Sequence, residues 1–312
     1  MQTISIPTNG HYDLESTFYL LSMGTADPCL QRDSPTQLRY TLHTPAGPAG
    51  VKVHHESEEL QVTTFGDGAE WLIPHLPNMF GVNYQPPTID APPKLARIAK
   101  EYEGMRIVRL PAISTRLVQI ILQQLVSFRD ACHSWRKLVH KYGKPVPNEP
   151  DLYFPPSPDV LNKLVSHQFI ECGALPRLGQ TVVECMKRAG RIEKLWNAGT
   201  DDDQEAGDAA NRTCELLDKL SGIGPWTVGF LRGAGLGDAD AVIPGDYSHP
   251  SQVAHFFGAS EEQARQADDA KMLELLEPYR PHRFYALSLI IKGSPRLPRR
   301  GPKRRSIRER FR

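Results

Sequence analysis

The sequence predicts an α+β fold, in which an antiparallel β-rich N-terminal domain precedes a mostly α-helical domain. Three patterns along its 312 residues support this prediction. Up to about residue 90, apolar and polar residues alternate in short segments, and from Lys94 onward apolar residues recur at helical spacing. Between these parts, prolines at positions 86, 87, 92 and 93 interrupt both patterns. We therefore predict a β-rich domain over residues 1–90, a helical domain over residues 91–291 and a basic tail over residues 292–312.

The strands of the first domain are predicted from alternation. Residues 37–43, 51–55 and 60–65 each alternate apolar and polar side chains, a pattern that places one face of a strand in a core. Residues 44–48, with the sequence Thr-Pro-Ala-Gly-Pro, separate the first two segments and are typical of a turn. Short strands joined in this way predict antiparallel pairing.

The helices are predicted from apolar residues at three- and four-residue spacing. Residues 114–128 show this spacing from Leu117 to Leu125, and residues 135–142 continue it. Such residues share one helical face, so a buried role for Leu125 is one expectation. The same criterion predicts helices over residues 159–166, 178–188, 209–220 and 226–234.

Charge is distributed unevenly along the chain. Residues 292–312 contain ten Lys or Arg residues and one acid, Glu309, a local charge of +9. The whole chain carries +1, so residues 1–291 carry −8. A basic tail on an acidic body favours a polyanion partner, because Lys and Arg release counterions when they neutralise phosphates. A solvated tail without a partner is the simpler explanation of the composition alone.

Cysteine usage and the absence of apolar runs favour a cytoplasmic protein. The five cysteines are scattered, with no Cys-x-x-Cys pair, which argues against a disulfide scaffold and a cysteine-bound metal cluster. The first ten residues lack the pattern of a signal peptide, and no apolar run is long enough to span a membrane. His133 and His140 share a helical face, but no carboxylate or thiol accompanies them at metal spacing. We therefore expect no metal and no membrane partner.

The most informative stretch covers residues 220–227, Leu-Ser-Gly-Ile-Gly-Pro-Trp-Thr. One helix is expected to end at Leu220 and another to begin near Pro225, because proline is favoured in a first helical turn. Gly222 and Gly224 give the intervening turn its conformational freedom, and Ile223 between them is expected to pack between the helices. The backbone N–H groups of this hairpin and of the new helix predict a binding site for one phosphate.

Asp246 lies 20 residues after Trp226, in the sequence Ile-Pro-Gly-Asp-Tyr over residues 243–247. This spacing accommodates a helix, a loop and a turn that presents Asp246 at the start of the next helix; an ordinary helix cap is the structural alternative. With the hairpin and the segment Leu-Leu-Glu-Pro-Tyr-Arg-Pro-His-Arg over residues 275–283, the chain resembles the helix–hairpin–helix Gly/Pro–Asp DNA glycosylase superfamily. Within it, the chain most resembles the bacterial 3-methyladenine DNA glycosylase II branch. The resemblance covers roughly residues 94–312.

The resemblance implies an enzyme that flips a damaged base out of double-stranded DNA and hydrolyses its N-glycosidic bond, with Asp246 as the catalytic carboxylate. A carboxylate stabilises positive charge that develops on the sugar, and one carboxylate suffices when the leaving base is already cationic, as an alkylated purine is. Related bifunctional enzymes carry a Schiff-base lysine where this chain has Trp226. Because an indole cannot form an imine, we predict a monofunctional glycosylase without lyase activity.

The resemblance also implies a base pocket and a set of DNA contacts. Aromatic side chains hold a flipped base by stacking, and the matching positions are Trp226, Phe230, Tyr247, His282 and Tyr285. Trp226 and Phe230 lie four residues apart on one helical face, so a core role is the alternative, and for Phe230 it is as strong as the pocket role. His282 stands where the alkylation-repair branch often has a larger aromatic residue. Leu125 matches a wedge that fills the gap left by the flipped base, and the predicted DNA-binding set is Gly222, Ile223, Gly224, Thr227, Gln124, Leu125, Arg299, Arg300, Lys303, Arg304 and Arg305.

No cofactor is expected, apart from a monovalent cation at the carbonyl groups of the hairpin, and we expect a monomer.

Other functions fit the same sequence features. The same scaffold acting on oxidised or deaminated bases is one alternative, because specificity depends on details of the pocket. A DNA-binding module without catalysis is the other.

Overall fold

The computed structural model describes residues 2–197, 203–295 and 297. It confirms the predicted α+β class, because an antiparallel sheet near the N-terminus is followed by a largely helical part. The tail residues predicted to contact DNA lie outside the described residues: Arg299, Arg300, Lys303, Arg304 and Arg305.

A five-stranded antiparallel sheet forms the N-terminal part. Its strands are β1 (Gln2–Pro7), β2 (Leu30–Ser34), β3 (Gln37–Thr44), β4 (Gly47–Glu56) and β5 (Glu59–Phe65), in the order β1-β5-β4-β3-β2. The three predicted segments coincide with β3, β4 and β5. The predicted turn over residues 44–48 is too long, because Thr44 pairs with Gly47 and two residues suffice for the connection. A two-stranded sheet of β6 (Lys144–Val146) and β7 (Glu149–Phe154) was not indicated by the sequence patterns.

The helices lie mostly after the sheet. Single 3₁₀ turns occur at Tyr19–Leu21, Ile73–His75 and Glu277–Tyr279. In chain order the helices are α1 (Leu14–Thr17), α2 (Ala69–Leu72), α3 (Leu76–Met79), α4 (Pro93–Glu101), α5 (Ser114–Gln123), α6 (Phe128–Tyr142), α7 (Pro158–Leu161), α8 (Ser166–Glu171), α9 (Pro176–Met186), α10 (Ala189–Trp196), α11 (Asp203–Asp218), α12 (Pro225–Ala234), α13 (His249–Phe256), α14 (Glu261–Arg265), α15 (Asp269–Leu276) and α16 (Arg283–Gly293).

Four of the predicted helices differ in extent. Those predicted over residues 135–142 and 209–220 begin earlier, as α6 at Phe128 and α11 at Asp203. The helix predicted over residues 114–128 ends at Gln123, because Gln124 takes an extended backbone and Leu125 a left-handed φ of 58°. The chain then begins α6, where the Ser127 hydroxyl accepts a hydrogen bond from the Asp130 N–H at 3.1 Å. The helix predicted over residues 159–166 is divided into α7 and α8, because the extended Val165 precedes a new helical start.

Two hydrophobic cores meet at α12. The first extends from the sheet into α5, α6 and α9, and the second joins α4, α13, α15 and α16. Trp226 and Phe230 of α12 pack against both cores. The helix that follows the predicted hairpin therefore lies where the two halves of the molecule meet, and the β-rich part shares its core with helices.

Buried charged groups fix the position of α5. The Arg116 side chain, only 1% exposed, donates a hydrogen bond from Nε to the carbonyl of Ala234 at the end of α12, at 3.1 Å. The buried carboxylate of Glu193 accepts the backbone N–H groups of Ile113 and Ser114 at 3.0 and 2.7 Å. Such bonds offset the cost of burying charge. They hold the start of α5 and tie the helix to α12.

None of the helices among the described residues combines the length and apolar composition needed to cross a membrane. The five cysteines are all free thiols.

Candidate functional site

The turn between α11 and α12 forms the predicted hairpin. Gly222 has a φ of 86°, a conformation that favours glycine, and a Cβ atom here would lie 2.1 Å from Oγ1 of Thr181 on α9. Ile223 is 8% exposed and belongs to the first core. Gly224 has an extended backbone, and the space around its missing Cβ atom is open. The hairpin is therefore packed tightly against α9 at Gly222 and open at Gly224.

The start of α12 can bind an anion. The first N–H groups of a helix have no partner within the helix, and the helix dipole places partial positive charge beside them. Pro225 occupies the first position of this 10-residue helix, so the N–H groups of Trp226 and Thr227 are its first donors. A phosphate held there and at Gly224 needs no side-chain contact.

The segment after α5 contacts the hairpin directly. Gln124 Nε2 donates hydrogen bonds to the carbonyl of Gly222 at 3.0 Å and to Oγ1 of Thr227 at 2.8 Å. The next residue, Leu125, is 57% exposed. The alternative of a buried role for Leu125 is therefore wrong, because the chain leaves the helix one residue earlier and exposes this side chain beside the hairpin. The Gly222 carbonyl, one of those considered for a monovalent cation, already accepts a bond from Gln124.

Asp246 lies between α12 and α13, and its side chain is 15% exposed. Oδ2 accepts a hydrogen bond from Trp226 Nε1 at 2.8 Å. Oδ1 accepts the backbone N–H groups of Ser248 and His249 at 2.8 and 3.0 Å. One carboxylate oxygen thus caps the start of α13, as the helix-cap alternative expected, while the other is held by the hairpin helix.

The surroundings of Asp246 keep its carboxyl group ionised. Burial on its own raises the pKa of Asp246, but three other effects outweigh it. These are the charge of His249, whose Nδ1 lies 3.7 Å from Oδ1, the Trp226 N–H, and the backbone N–H groups of Ser248 and His249. The pKa of Asp246 therefore lies below its ordinary value, and the group is a carboxylate at neutral pH.

Replacing Trp226 by Phe is expected to raise the pKa of Asp246. The variant keeps an aromatic ring but loses the indole N–H that bonds Oδ2, and a carboxylate that loses a donor is more easily protonated. A carbon-13 NMR titration of the Asp246 carboxyl measures the shift. Phe230→Leu, which removes the neighbouring ring without touching the carboxylate, is the matched control. An unchanged pKa in Trp226→Phe would contradict the prediction.

The same variant should change how stability depends on pH. Because folding lowers the pKa of Asp246, this group adds stability above the pKa of an unfolded Asp, about 3.9. That stability is lost as the pH falls through the lower pKa of the folded state. In Trp226→Phe the pKa of Asp246 is lowered less by folding, so Asp246 contributes less stability at neutral pH. The free energy of unfolding of this variant should therefore decrease less than that of wild type when the pH is lowered from neutral to below the pKa of folded Asp246.

Trp226 contacts Asp246 directly, and Tyr247 follows Asp246 in the chain. The rings of Trp226 and Phe230 form an edge-to-face pair, with centroids 5.5 Å apart and planes at 69°. The guanidinium group of buried Arg116 lies 5.2 Å from the centroid of Phe230, so Phe230 is packed between this cation and Trp226. Tyr247, beside Asp246, is 85% exposed. Phe230 therefore supports Trp226, and Tyr247, the residue after Asp246, exposes a large aromatic surface.

His282 and Tyr285 form a second aromatic group with Tyr84, which the sequence patterns did not single out. Tyr84 Oη lies 3.0 Å from His282 Nδ1, and its ring centroid lies 5.8 Å from that of Tyr285. Burial lowers the pKa of His282 despite nearby Asp240. Tyr285 is 1% exposed, and an enclosed ring offers no open face to a base. Among the described residues, no hydrogen bond or ring contact joins this group to the carboxylate of Asp246 or to the indole bonded to it.

The segment over residues 275–283 packs against the loop that follows α12. Arg283 donates two hydrogen bonds to the carboxylate of Asp240, at 2.9 and 2.6 Å. Burial raises the pKa of Asp240, but the bonds from Arg283 outweigh it and lower the pKa overall. This ion pair places His282 at the start of α16, beside the loop that leads to Asp246. Within the described ranges, no three His, Cys, Asp or Glu side chains are grouped so that they could hold a metal ion.

Comparisons with solved structures identify the fold. The 3-methyladenine DNA glycosylase from Archaeoglobus fulgidus is similar, with a TM-score of 0.70 and 19% identity over 92% of this chain and 97% of that one. MBOgg1 bound to a low-affinity DNA ligand has a TM-score of 0.65 and 14% identity, covering 93% and 94%. The 8-oxoguanine glycosylase/lyase of Clostridium acetobutylicum, bound to double-stranded DNA, has a TM-score of 0.63 and 15% identity, covering 92% and 93%. No protein-family model and no curated protein matches the sequence. The chain has the fold of the helix–hairpin–helix DNA glycosylases.

Proposed function

We propose that this protein is a monofunctional DNA glycosylase of base excision repair, which flips a damaged base and hydrolyses its N-glycosidic bond. The observation that carries the proposal is the ionised carboxylate of Asp246, held by Trp226 beside a hairpin that can bind phosphate. A non-catalytic DNA-binding module needs Asp246 only as the cap of α13, which uses Oδ1, and has no need for the second oxygen that Trp226 holds.

The chemistry follows from the position of this carboxylate. A base inside a duplex is out of reach, so the nucleotide is extruded first. As the bond between C1′ and the base nitrogen breaks, positive charge develops on the sugar, and Asp246 stabilises it electrostatically. A water oxygen then bonds to C1′, and its proton passes to Asp246 or to solvent. An alkylated purine carries positive charge before cleavage and leaves as a neutral base, so no protonating acid is needed.

The proposed DNA contacts come from the hairpin, from Leu125 and from the tail. The N–H groups at Gly224 and the start of α12 bind one phosphate, which positions the enzyme without selecting a sequence. Leu125, exposed and held beside the hairpin through Gln124, fills the gap that the flipped base leaves. Tail residues 299–305 add phosphate contacts in this proposal.

The proposed base pocket is formed by Trp226 and Tyr247. Both adjoin Asp246, and Tyr247 has an open ring that can stack on an electron-poor base. Phe230 supports Trp226, whereas His282 and Tyr84 form a separate aromatic group that has no hydrogen bond or ring contact with Trp226 or Asp246 among the described residues. We propose alkylated purines as the substrate class, because stacking on aromatic faces favours a cationic base and a single carboxylate suffices to expel it.

Release of free base from a panel of lesion-containing duplexes tests both parts of this proposal. Oligonucleotides with an alkylated purine, 8-oxoguanine or uracil are incubated with the enzyme, with and without borohydride. Free alkylated purine should be released, and no covalent enzyme–DNA adduct should form, because Trp226 cannot form an imine. A borohydride-trapped adduct would overturn the monofunctional mechanism, and release of only 8-oxoguanine or only uracil would overturn the substrate class.

A further inference from the structure

We propose that the exposed face of α6 binds the phosphate backbone of duplex DNA flanking the site, as a contact separate from the hairpin. This helix contains four Lys or Arg residues and one acid, a net charge of +3. Residues 1–291, which include this helix, carry a net charge of −8. The proposal rests on the proposed function only in taking DNA as the ligand.

The basic side chains of α6 share one face of the helix. At 3.6 residues per turn, the Lys, Arg and His positions of α6 fall within an arc of about 140°. The opposite face, which includes Trp135 and Leu138, is buried in the first core. Cations confined to one solvent-facing side of a helix can all reach one partner. The exposed members of the set are Arg129, Arg136, Lys137, His140 and Lys141.

A cleft of about 370 Å³ lies between this face and the end of α8. On its α8 side, the Glu171 carboxylate accepts a bond from Lys141, and the Glu171 carbonyl accepts one from Lys137 at 3.3 Å. These bonds hold both lysines at the cleft. Arg129 and Arg136 form no hydrogen bond or ion pair with any part of the chain that the structure describes. Both guanidinium groups are therefore open to an external anion, and Arg136 lines the cleft.

The α6 helix begins next to the segment that contacts the hairpin. Gln124 bonds to the hairpin, and α6 begins three residues after Leu125, at Phe128, which is 46% exposed. Arg136 is eight residues further along, about 12 Å at 1.5 Å per residue. This distance corresponds to three or four base pairs at about 3.4 Å each. A line of cations that extends from the wedge over this distance fits the repeating charges of a duplex better than a single small anion.

The salt dependence of binding to undamaged duplex DNA tests the proposal. Arg136→Gln with Lys137→Gln removes two exposed cations and leaves the buried face of α6 intact. Log affinity falls linearly with log salt, and each lost phosphate contact should make this negative slope shallower by about 0.9. Between 50 and 200 mM salt, wild-type affinity should therefore fall about tenfold more than that of the double variant. Lys187→Gln with Lys271→Gln, at positions 55% and 46% exposed just after α9 and on α15, is the control with the same change in charge.

Duplex length gives a second measurement. The advantage of wild type over the Arg136/Lys137 variant should vanish when one flank of the DNA is cut below about three base pairs. An unchanged salt slope, or a loss equal to that of the control, would overturn the role of α6 even if base release stands. Conversely, a protein that releases no base but shows the expected slopes would overturn the glycosylase proposal and leave the α6 contact intact.

Discussion

Replacing Asp246 by Asn is expected to slow the release of free base by about 10²- to 10³-fold in single-turnover assays. Asparagine has almost the same shape, and its side-chain oxygen can still accept the N–H groups of Ser248 and His249, so the start of α13 should persist. What is lost is the negative charge beside the sugar, which matters when positive charge develops in the transition state. The acceptor of the Trp226 N–H is lost as well, because the amide nitrogen in place of Oδ2 is itself a donor. Affinity for the lesion-containing duplex should therefore change by no more than about threefold, and the loss should appear in the rate of bond cleavage.

The matched control for this experiment is Asp269→Asn. The Asp269 carboxylate accepts the N–H of Gly245 at 2.7 Å, so it touches the residue before Asp246 but not Asp246 itself. If Asp269→Asn slows release as strongly, the effect of Asp246 is one of loop position and not of charge. Equal rates for wild type and Asp246→Asn would remove the basis of the glycosylase assignment.

Substitution of the two hairpin glycines by Ala should affect different properties: stability for Gly222 and DNA binding for Gly224. Gly222→Ala is expected to lower the free energy of unfolding by about 2–4 kcal/mol, because a Cβ atom both strains a left-handed backbone and overlaps Thr181. Gly224→Ala should change stability by no more than about 0.5 kcal/mol, since the space around it is open. It should nevertheless weaken DNA binding about tenfold, because the added methyl group occupies the approach to the proposed phosphate site. Urea unfolding and binding to undamaged duplex DNA measure the two effects.

A double variant separates the two causes of the Gly222 effect. Thr181→Ala relieves the overlap but not the backbone strain, so Gly222→Ala with Thr181→Ala should recover only part of the lost stability. If Gly224→Ala destabilises the protein as much as Gly222→Ala, the hairpin is packed on both sides. If Gly224→Ala binds DNA as wild type does, the backbone there makes no phosphate contact.

The sequence predicted those elements whose patterns are local. Alternation located β3, β4 and β5, because a sheet with one buried face imposes a period of two on the side chains. The end of α5 was missed because Leu125 continues the apolar spacing of that helix. The left-handed backbone at Leu125 accompanies the contact of Gln124 with the hairpin, which lies 98 residues away in the chain.

The candidate site shows the same limit. The hairpin was predicted from residue types and spacing, and Asp246 from these together with the family resemblance, but the hydrogen bond from the Trp226 indole to Asp246 depends on how α12 packs. Tyr84 bonds to His282 across 198 residues, and no periodicity reports a contact at that distance. The burial of Tyr285 was missed for a related reason, since aromatic positions near an active site look alike in sequence whether they line a pocket or fill a core.

The position of α12 between two cores has a consequence for how the protein can be divided. Its two aromatic rings pack against both cores, so an excised helical half would expose the surface now covered by the sheet and its neighbours. The N-terminal strands therefore belong to the core against which the hairpin helix packs, and they cannot be removed without exposing that helix. Fragments, fusions and circular permutants should therefore be cut in peripheral loops, and never between the sheet and the helices that share its interior.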